Sequence, residues 1–196
     1  QIDIDNFIIY NVIQIYGDNQ DWPGNNIKYW KSDGGKWRWI LYDTDFSFSG
    51  QWWAWDVNNH YLINTLNFVL SGDQTNWANA PWATLMLRRL IQNTEFRNKF
   101  VNRYADELNT RFLASDVVQH FNDIYDVILD EVPDHMQRWN SNDNPYYFVE
   151  HMINFAVNRP EYAKEHILSE LNLPNYHNVS LENSTPEFGF IRVNNN

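Results

Sequence analysis

Apolar positions near the start of the chain recur at helical spacing, with Ile4, Phe7, Ile8, Val12 and Ile15 on one face. That pattern predicts a helix over residues 4–16, which Asp3 or Asp5 can cap and Gly17 ends. Residues 18–26, Asp-Asn-Gln-Asp-Trp-Pro-Gly-Asn-Asn, break every period. Pro23-Gly24 among Asp and Asn residues predicts a tight polar loop. Alternation then takes over. Ile27-Lys-Tyr-Trp-Lys31, the turn Ser32-Asp-Gly-Gly35 and Lys36-Trp-Arg-Trp-Ile-Leu-Tyr42 predict a β-hairpin that runs directly into Asp43-Thr-Asp-Phe-Ser-Phe48. Residues 49–82 are irregular and rich in Trp, Asn and Gly, with a set of helical turns near 60–70. An irregular stretch of that size in a compact domain carries function or covers a site.

From Pro81 the pattern is helical. It predicts a helix over 83–92, a second over 95–108 capped by Thr94, and a long one from Ser115 to Trp139 that Pro133 must kink. Two more follow, over 146–157 and from Pro160, at a first helical turn, to Leu171. Phe96, Phe100, Tyr104 and Leu108 form one core stripe, and Val117, Phe121, Ile124, Ile128 and Val132 another. Asn178-Val-Ser-Leu181 and Phe188-Gly-Phe-Ile-Arg-Val193 read as short strand-like pieces. The expected fold class is mainly α with a small β-hairpin (α+β). The expected organisation is one domain over 1–176, then a linker, a closing strand pair or the start of a β-domain over 177–196.

Hydrophobic residues at 43% and aromatics at 17% exclude a disordered chain. The ten tryptophans exceed what one core needs, so some line a cleft or a contact surface. With a net charge of −11 and no linear Lys/Arg cluster, nucleic acid is excluded as a partner. An acidic protein that handles an anion needs a bridging cation or a nest of backbone N–H groups. No apolar run reaches the ~20 residues of a membrane span. Cysteine is absent, which removes disulfides, thiolate nucleophiles and thiolate metal sites. The chain opens inside an apparent helix, so a piece of a longer protein is expected.

Chemistry concentrates in residues 18–46. Asp21 and Asn26 lie five apart in the polar loop, and the hairpin returns Asp43 and Asp45 beside them. Oxygen ligands of this kind select Mg²⁺, Mn²⁺ or Ca²⁺, and one carboxylate can instead act as a base or orient a hydroxyl. Each residue has a plainer reading. Asp21 and Asn26 can serve the turn, Asp43 needs a metal, a base or a hydrogen-bond donor after a buried-looking strand, and Asp45 can cap the loop. Trp52-Trp-Ala-Trp55 is a purine or substrate platform or simply packing, and Trp22 and Trp30 flank the site as packing. The histidines, including His120, His135 and His151, read as surface or satisfied core. Arg88, Arg89, Arg97 and Arg103 read as solvated helix faces.

The order Asp-x-x-x-x-Asn, hairpin, then an Asp opening a DFG-like element resembles a protein kinase's catalytic and metal-binding loops. More closely, the chain resembles the CotH (spore coat protein H) atypical kinase family. The likeness rests on Ile4-Asp-Asn-Phe7, Gly17-Asp-Asn-Gln-Asp-Trp-Pro-Gly-Asn-Asn26, Lys36-Trp-Arg-Trp-Ile-Leu-Tyr-Asp-Thr-Asp-Phe46 and Phe155-Ala-Val-Asn-Arg-Pro-Glu-Tyr162. It spans residues 1–175 and is sharpest over 4–48.

The resemblance implies the C-terminal lobe of a kinase-like fold, which passes phosphate from ATP to hydroxyls of a protein acceptor with Mg²⁺ or Mn²⁺. Asp21 falls on the catalytic acid that orients the acceptor. Asn26 and Asp43 fall on the residues that hold metal and nucleotide phosphate, and Asp45 is close enough to join the metal. The nucleotide-covering lobe and its lysine have no counterpart from Gln1 onward, so the segment alone is expected to be inactive. Asp43-Thr-Asp-Phe-Ser also lacks the DFG glycine. A bacterial envelope, secreted or spore-surface location is implied. Two other classes compete: a carbohydrate-active or carbohydrate-binding protein, and a non-enzymatic structural module in which Asp18, Asp21 and Asn26 hold Ca²⁺.

Overall fold

A computed structural model of the protein describes residues 1–50, 57–72, 77–141, 145–191 and 193. Among these the fold is mainly helical with one small antiparallel sheet, the expected class. The first helix, α1 (Ile4–Tyr16), is capped by Asp3, whose carboxylate accepts the Asn6 N–H at 3.1 Å. Phe7, Ile8, Tyr10, Val12, Ile15 and Tyr16 are all buried, so α1 is enclosed nearly all round rather than on one stripe.

The hairpin pairs β1 (Lys28–Trp30) with β2 (Arg38–Ile40), Tyr29 standing opposite Trp39. It is shorter than the alternation suggested. Gly34 takes φ 69° in the turn, a conformation that suits glycine. The outer edge of β2 is closed by α1 and its approach. Trp39 donates its N–H to Asn6 Oδ1 at 2.6 Å, and Asn6 Nδ2 donates to the Trp39 carbonyl at 3.2 Å. Next to it Asp3 N–H meets the Trp37 carbonyl, and Trp37 N–H meets that of Gln1. The reading of β2 as a buried strand is corrected. Only Trp39 turns inward, edge-on to Phe7 at 4.7 Å, because a two-stranded ribbon laid on one helix buries the face turned to that helix.

After the hairpin come a 3-10 turn at Val57–Leu62, α2 (Thr65–Ser71), a second 3-10 turn at Trp77–Asn79 and α3 (Leu85–Leu90). The next helix, α4 (Thr94–Leu108), is capped by Asn93 rather than Thr94, the Asn93 side chain accepting the Phe96 N–H at 3.0 Å. Its stripe of Phe96, Phe100, Tyr104 and Leu108 is buried as the periodicity requires. Each such phenylalanine contributes ~2–3 kcal/mol.

The long helix expected from Ser115 divides. It forms α5 (Ala114–Ile128), a 3-10 turn at Leu129–Glu131 and α6 (Val132–Trp139), with Pro133 in the first turn of α6, where its missing N–H has no partner to lose. Ser115 is not the cap; it lies inside α5 and donates to Asp116. Conversely, the two helices expected after Tyr146 are one, α7 (Pro145–Glu170), which runs through Pro160. Proline removes a single intrahelical bond there, while Phe155, Arg159, Ala163 and Ile167 bury one face on both sides of it.

The second core stripe is only half realised. Val117 and Phe121 are half-buried, but Ile124 is 62% and Ile128 49% exposed, and neighbouring Val127 is 80% exposed. The strand-like pieces after residue 177 form no strand among the described residues. They run through one 3-10 turn, Pro186–Phe188. Among the described residues no helix is long and apolar enough to cross a membrane.

Candidate metal and phosphate site

The polar loop and the acid segment are joined by main-chain bonds as well as by the hairpin. Gln20 N–H donates to the Phe46 carbonyl at 3.2 Å, and Phe48 N–H donates to the Gly17 carbonyl at 2.7 Å. The approach is close at Gly17. A Cβ there would stand 3.2 Å from the Ile13 carbonyl oxygen and 3.3 Å from Ser47 Cβ. The Phe48 ring anchors the segment in the core against Tyr16, Phe121 and Phe155.

Within this frame, Asp21 Oδ2 accepts Nδ2 of Asn25 at 2.9 Å and Nδ2 of Asn26 at 2.7 Å. Its main-chain N–H donates to Asn19 Oδ1. One carboxylate oxygen is thus saturated, and among the described residues no donor meets Oδ1. Asn26 spends its amino group on Asp21, which leaves its carbonyl oxygen as the group to meet a cation. Asn26 and Asp43 both take left-handed φ, 54° and 53°, as does Asp18 at 51°. Asn and Asp bear that conformation better than other non-glycine residues.

Asp43 and Asp45 are both exposed. The Asp43 pKa is raised above the usual carboxylate range. Its hydrogen bond to Asp45 is the main cause, followed by desolvation and by the charges of Asp45 and Asp21, while Lys28 opposes the shift. The structure therefore brings Asp21, Asn26, Asp43 and Asp45 into one neighbourhood that is crowded with negative charge. The donors are all oxygen, three carboxylates and a carboxamide, the chemistry that Mg²⁺ and Mn²⁺ prefer. Among the described residues no group of three or more His, Cys, Asp or Glu is arranged to hold a metal. A cation here would depend on the Asn26 oxygen and on waters or phosphate, which is the habit of Mg²⁺.

Sequence reasoning missed the support beneath the loop. Asp18 is 0% exposed and accepts from Gln20 Nε2 at 2.6 Å, from His60 Nδ1 at 2.9 Å and from Thr65 Oγ1 at 2.6 Å. Its oxygens are committed to protein donors, so it offers no calcium ligand. Arg159, 1% exposed, donates to the carbonyls of Ile15, Tyr16, Tyr61 and Ile63 and to Thr65 Oγ1. The signal for Arg159 was a cation set at four-residue spacing among Phe155, Ala163 and Ile167. Arg103 is also more than a solvated face, since it meets the buried Glu107 at 2.7 Å. Arg88 likewise reaches Thr84 and the Pro81 carbonyl.

His60 is a satisfied core histidine. Trp22 is buried edge-on to Tyr10, whereas Trp30 is about half exposed and packs nothing comparable. Trp52-Trp-Ala-Trp55 lies outside the described residues. A cavity of about 250 Å³ between α4, the end of α7 and residues 173–178 shares no residue with the acid cluster.

A helical body bearing one short hairpin, with an Asp/Asn loop and an acid pair joined at its base, is an α+β protein with an oxygen-rich anionic site. The family model described as CotH kinase protein matches residues 1–163, and the chain belongs to that family, which is named for a spore-coat protein. No curated protein and no solved structure is significantly similar.

Proposed function

We propose that residues 1–163 form the metal- and phosphate-handling portion of an ATP-dependent protein kinase of the CotH type. The observation that supports this reading most is the division of labour at Asp21. One oxygen is held by Asn25 and Asn26, and the other, which meets no donor among the described residues, would receive an acceptor hydroxyl. Asn26 through its carbonyl, with Asp43 and Asp45, would hold Mg²⁺ or Mn²⁺. The cation would supply charge to bridge phosphate oxygens and spread the charge that develops during transfer. It would also let a chain of net charge −11 hold a polyanion. Within this reading residues 1–176 act as a kinase-like C-terminal lobe, and the location is a bacterial envelope, a secreted state or the spore surface.

The competing classes gain no support from the geometry. Asp43 and Asp45 bond each other instead of facing across a cleft, unlike the paired acids of glycoside hydrolysis. The calcium-module reading loses Asp18 to the interior. The deciding experiment is labelling from ATP with Mg²⁺ or Mn²⁺, with the segment tested both alone and within a longer parent chain. Transfer should vanish in Asp21→Ala and in Asp43→Ala. Labelling at the native level in both variants would show the assignment to be wrong.

A further inference from the structure

Among the described residues the hairpin has one closed edge and one open edge. In an antiparallel pair, facing residues alternate between exchanging both main-chain hydrogen bonds and exchanging none. Trp39 spends its N–H on Asn6 and receives Asn6 at its carbonyl, so the Tyr29–Trp39 pair is of the second kind. The N–H and C=O of Tyr29 therefore point away from β2. Neither bonds another main-chain group among the described residues.

The side chains along this edge are aromatic and basic. Tyr29 is 58% exposed and Trp30 nearly as open. Lys28 Nζ lies 4.1 Å from the Tyr42 ring centre and Lys31 Nζ 5.2 Å from that of Trp37. Lys36 and Arg38 are exposed on the same hairpin, Arg38 paired with Asp3 at 3.4 Å, and Asp33 is the hairpin's own acid. The linear sequence has no basic run; the hairpin assembles a basic patch in a chain of net charge −11. An open strand edge accepts another strand. A second copy's β1 would bring its own Lys28 and Lys31 to the same edge, which gathers like charge there. An acidic strand sets opposite charge across from Lys28 and Lys31.

We propose that the β1 edge docks an extended acidic segment of a partner protein by strand addition, its main chain bonding Tyr29. Acidic residues stand across from Lys28 and Lys31, and apolar ones across from Tyr29 and Trp30. That pattern, acid-apolar-apolar-acid, reads the same in both strand directions. Lys28 also lies near enough to Asp43 for the two charges to interact. If the phosphotransfer reading holds, this strand belongs to the acceptor; that clause alone rests on it, and the binding does not.

The test is fluorescence anisotropy with a labelled Thr-Glu-Val-Ile-Glu-Thr peptide and its Thr-Lys-Val-Ile-Lys-Thr counterpart, without nucleotide or metal. The Glu peptide should bind saturably, more weakly as salt is raised, and the Lys peptide should not. Joint Lys28→Glu and Lys31→Glu substitution should weaken the Glu peptide about tenfold or more. Tyr29→Pro removes an edge N–H that no ladder bond uses, so it should weaken binding while the helical circular dichroism persists. Equal binding of the two peptides, no saturable binding of the Glu peptide, or unchanged affinity in both variants would each overturn the proposal. So would Tyr29-dependent self-association in sedimentation, which would assign the edge to a second copy. Loss of peptide binding with ATP labelling intact would separate this failure from failure of the kinase reading.

Discussion

Arg159, deep in α7, donates its Nε hydrogen to the main-chain carbonyl of Tyr16, 2.9 Å away, at the last turn of α1. Helix ends leave carbonyls without partners, and here a buried guanidinium satisfies those of Ile15 and Tyr16 together with two from the 57–63 region. The same head group reaches Thr65, whose hydroxyl donates to Asp18. A cation and an anion, both buried, are thus bridged by one hydroxyl directly below the polar loop.

Truncating Arg159 should strand several carbonyls and leave Asp18 without its counter-charge. Arg159→Ala is expected to cost ~3–5 kcal/mol in urea unfolding, because one member of a buried polar assembly is removed. Arg159→Lys keeps the charge but has a single ammonium in place of a planar fork, so it should fall between the two. Native stability in Arg159→Ala would contradict the network.

Asp18 should be sensitive in a graded way. Asp18→Asn keeps the shape and tolerates φ 51°, but it turns one acceptor into a donor that faces other donors. Asp18→Ala loses all three bonds and strains the backbone as well. The expected order of melting temperature is wild type, Asn, Ala, with Ala down by about 3 kcal/mol. Reversal of the Asn and Ala variants would argue against the hydrogen-bond account.

Asp43 should hold its proton to a higher pH than an isolated carboxylate, chiefly through its bond to Asp45. Carbon-13 carboxyl titration should show this. Saturating Mg²⁺ should bring the midpoint down, since cation and proton compete for the same oxygens, and Asp45→Asn should remove much of the elevation. A midpoint that Mg²⁺ leaves in place would count against metal binding at Asp43.

His166 gives a pH dependence of stability. Burial, and then the charge of Arg159, depress its pKa from 6.5 to about 4, with Glu170 opposing. Between these values the unfolded chain binds more protons than the folded one, so stability rises with pH across the window. Acidification from pH 6.5 toward pH 4 should therefore destabilise the protein. His166→Gln should flatten that part of the stability curve, as read by thermal melts at stepped pH.

What could be read from the chain was whatever depends on local period and turn chemistry. The helix at 4–16, the hairpin and the meeting of Asp21, Asn26, Asp43 and Asp45 follow from apolar spacing, Gly34 and a short connection. What could not be read depends on contacts between distant segments. Thr65 and His60 come from an irregular stretch, and they reach Asp18 only because α7 holds that stretch through Arg159. Pro160 was read as a helix start because proline signals are local, whereas the packing that carries α7 through it is not. Ile124 and Ile128 have the spacing of core residues, but spacing cannot say whether a neighbour arrives to cover them.

The paired contacts of Asn6 with Trp39, and of Asp3 with Trp37, make the opening helix a splint for the hairpin. The angle at which Asp43 leaves β2 is therefore set at the base of the ribbon, and the tip at Ser32–Gly35 is spared that duty. A fluorophore or affinity tag grafted into that tip would stand at the far end of the ribbon from Asn26 and Asp43, which makes it a natural handle for reporting on the site.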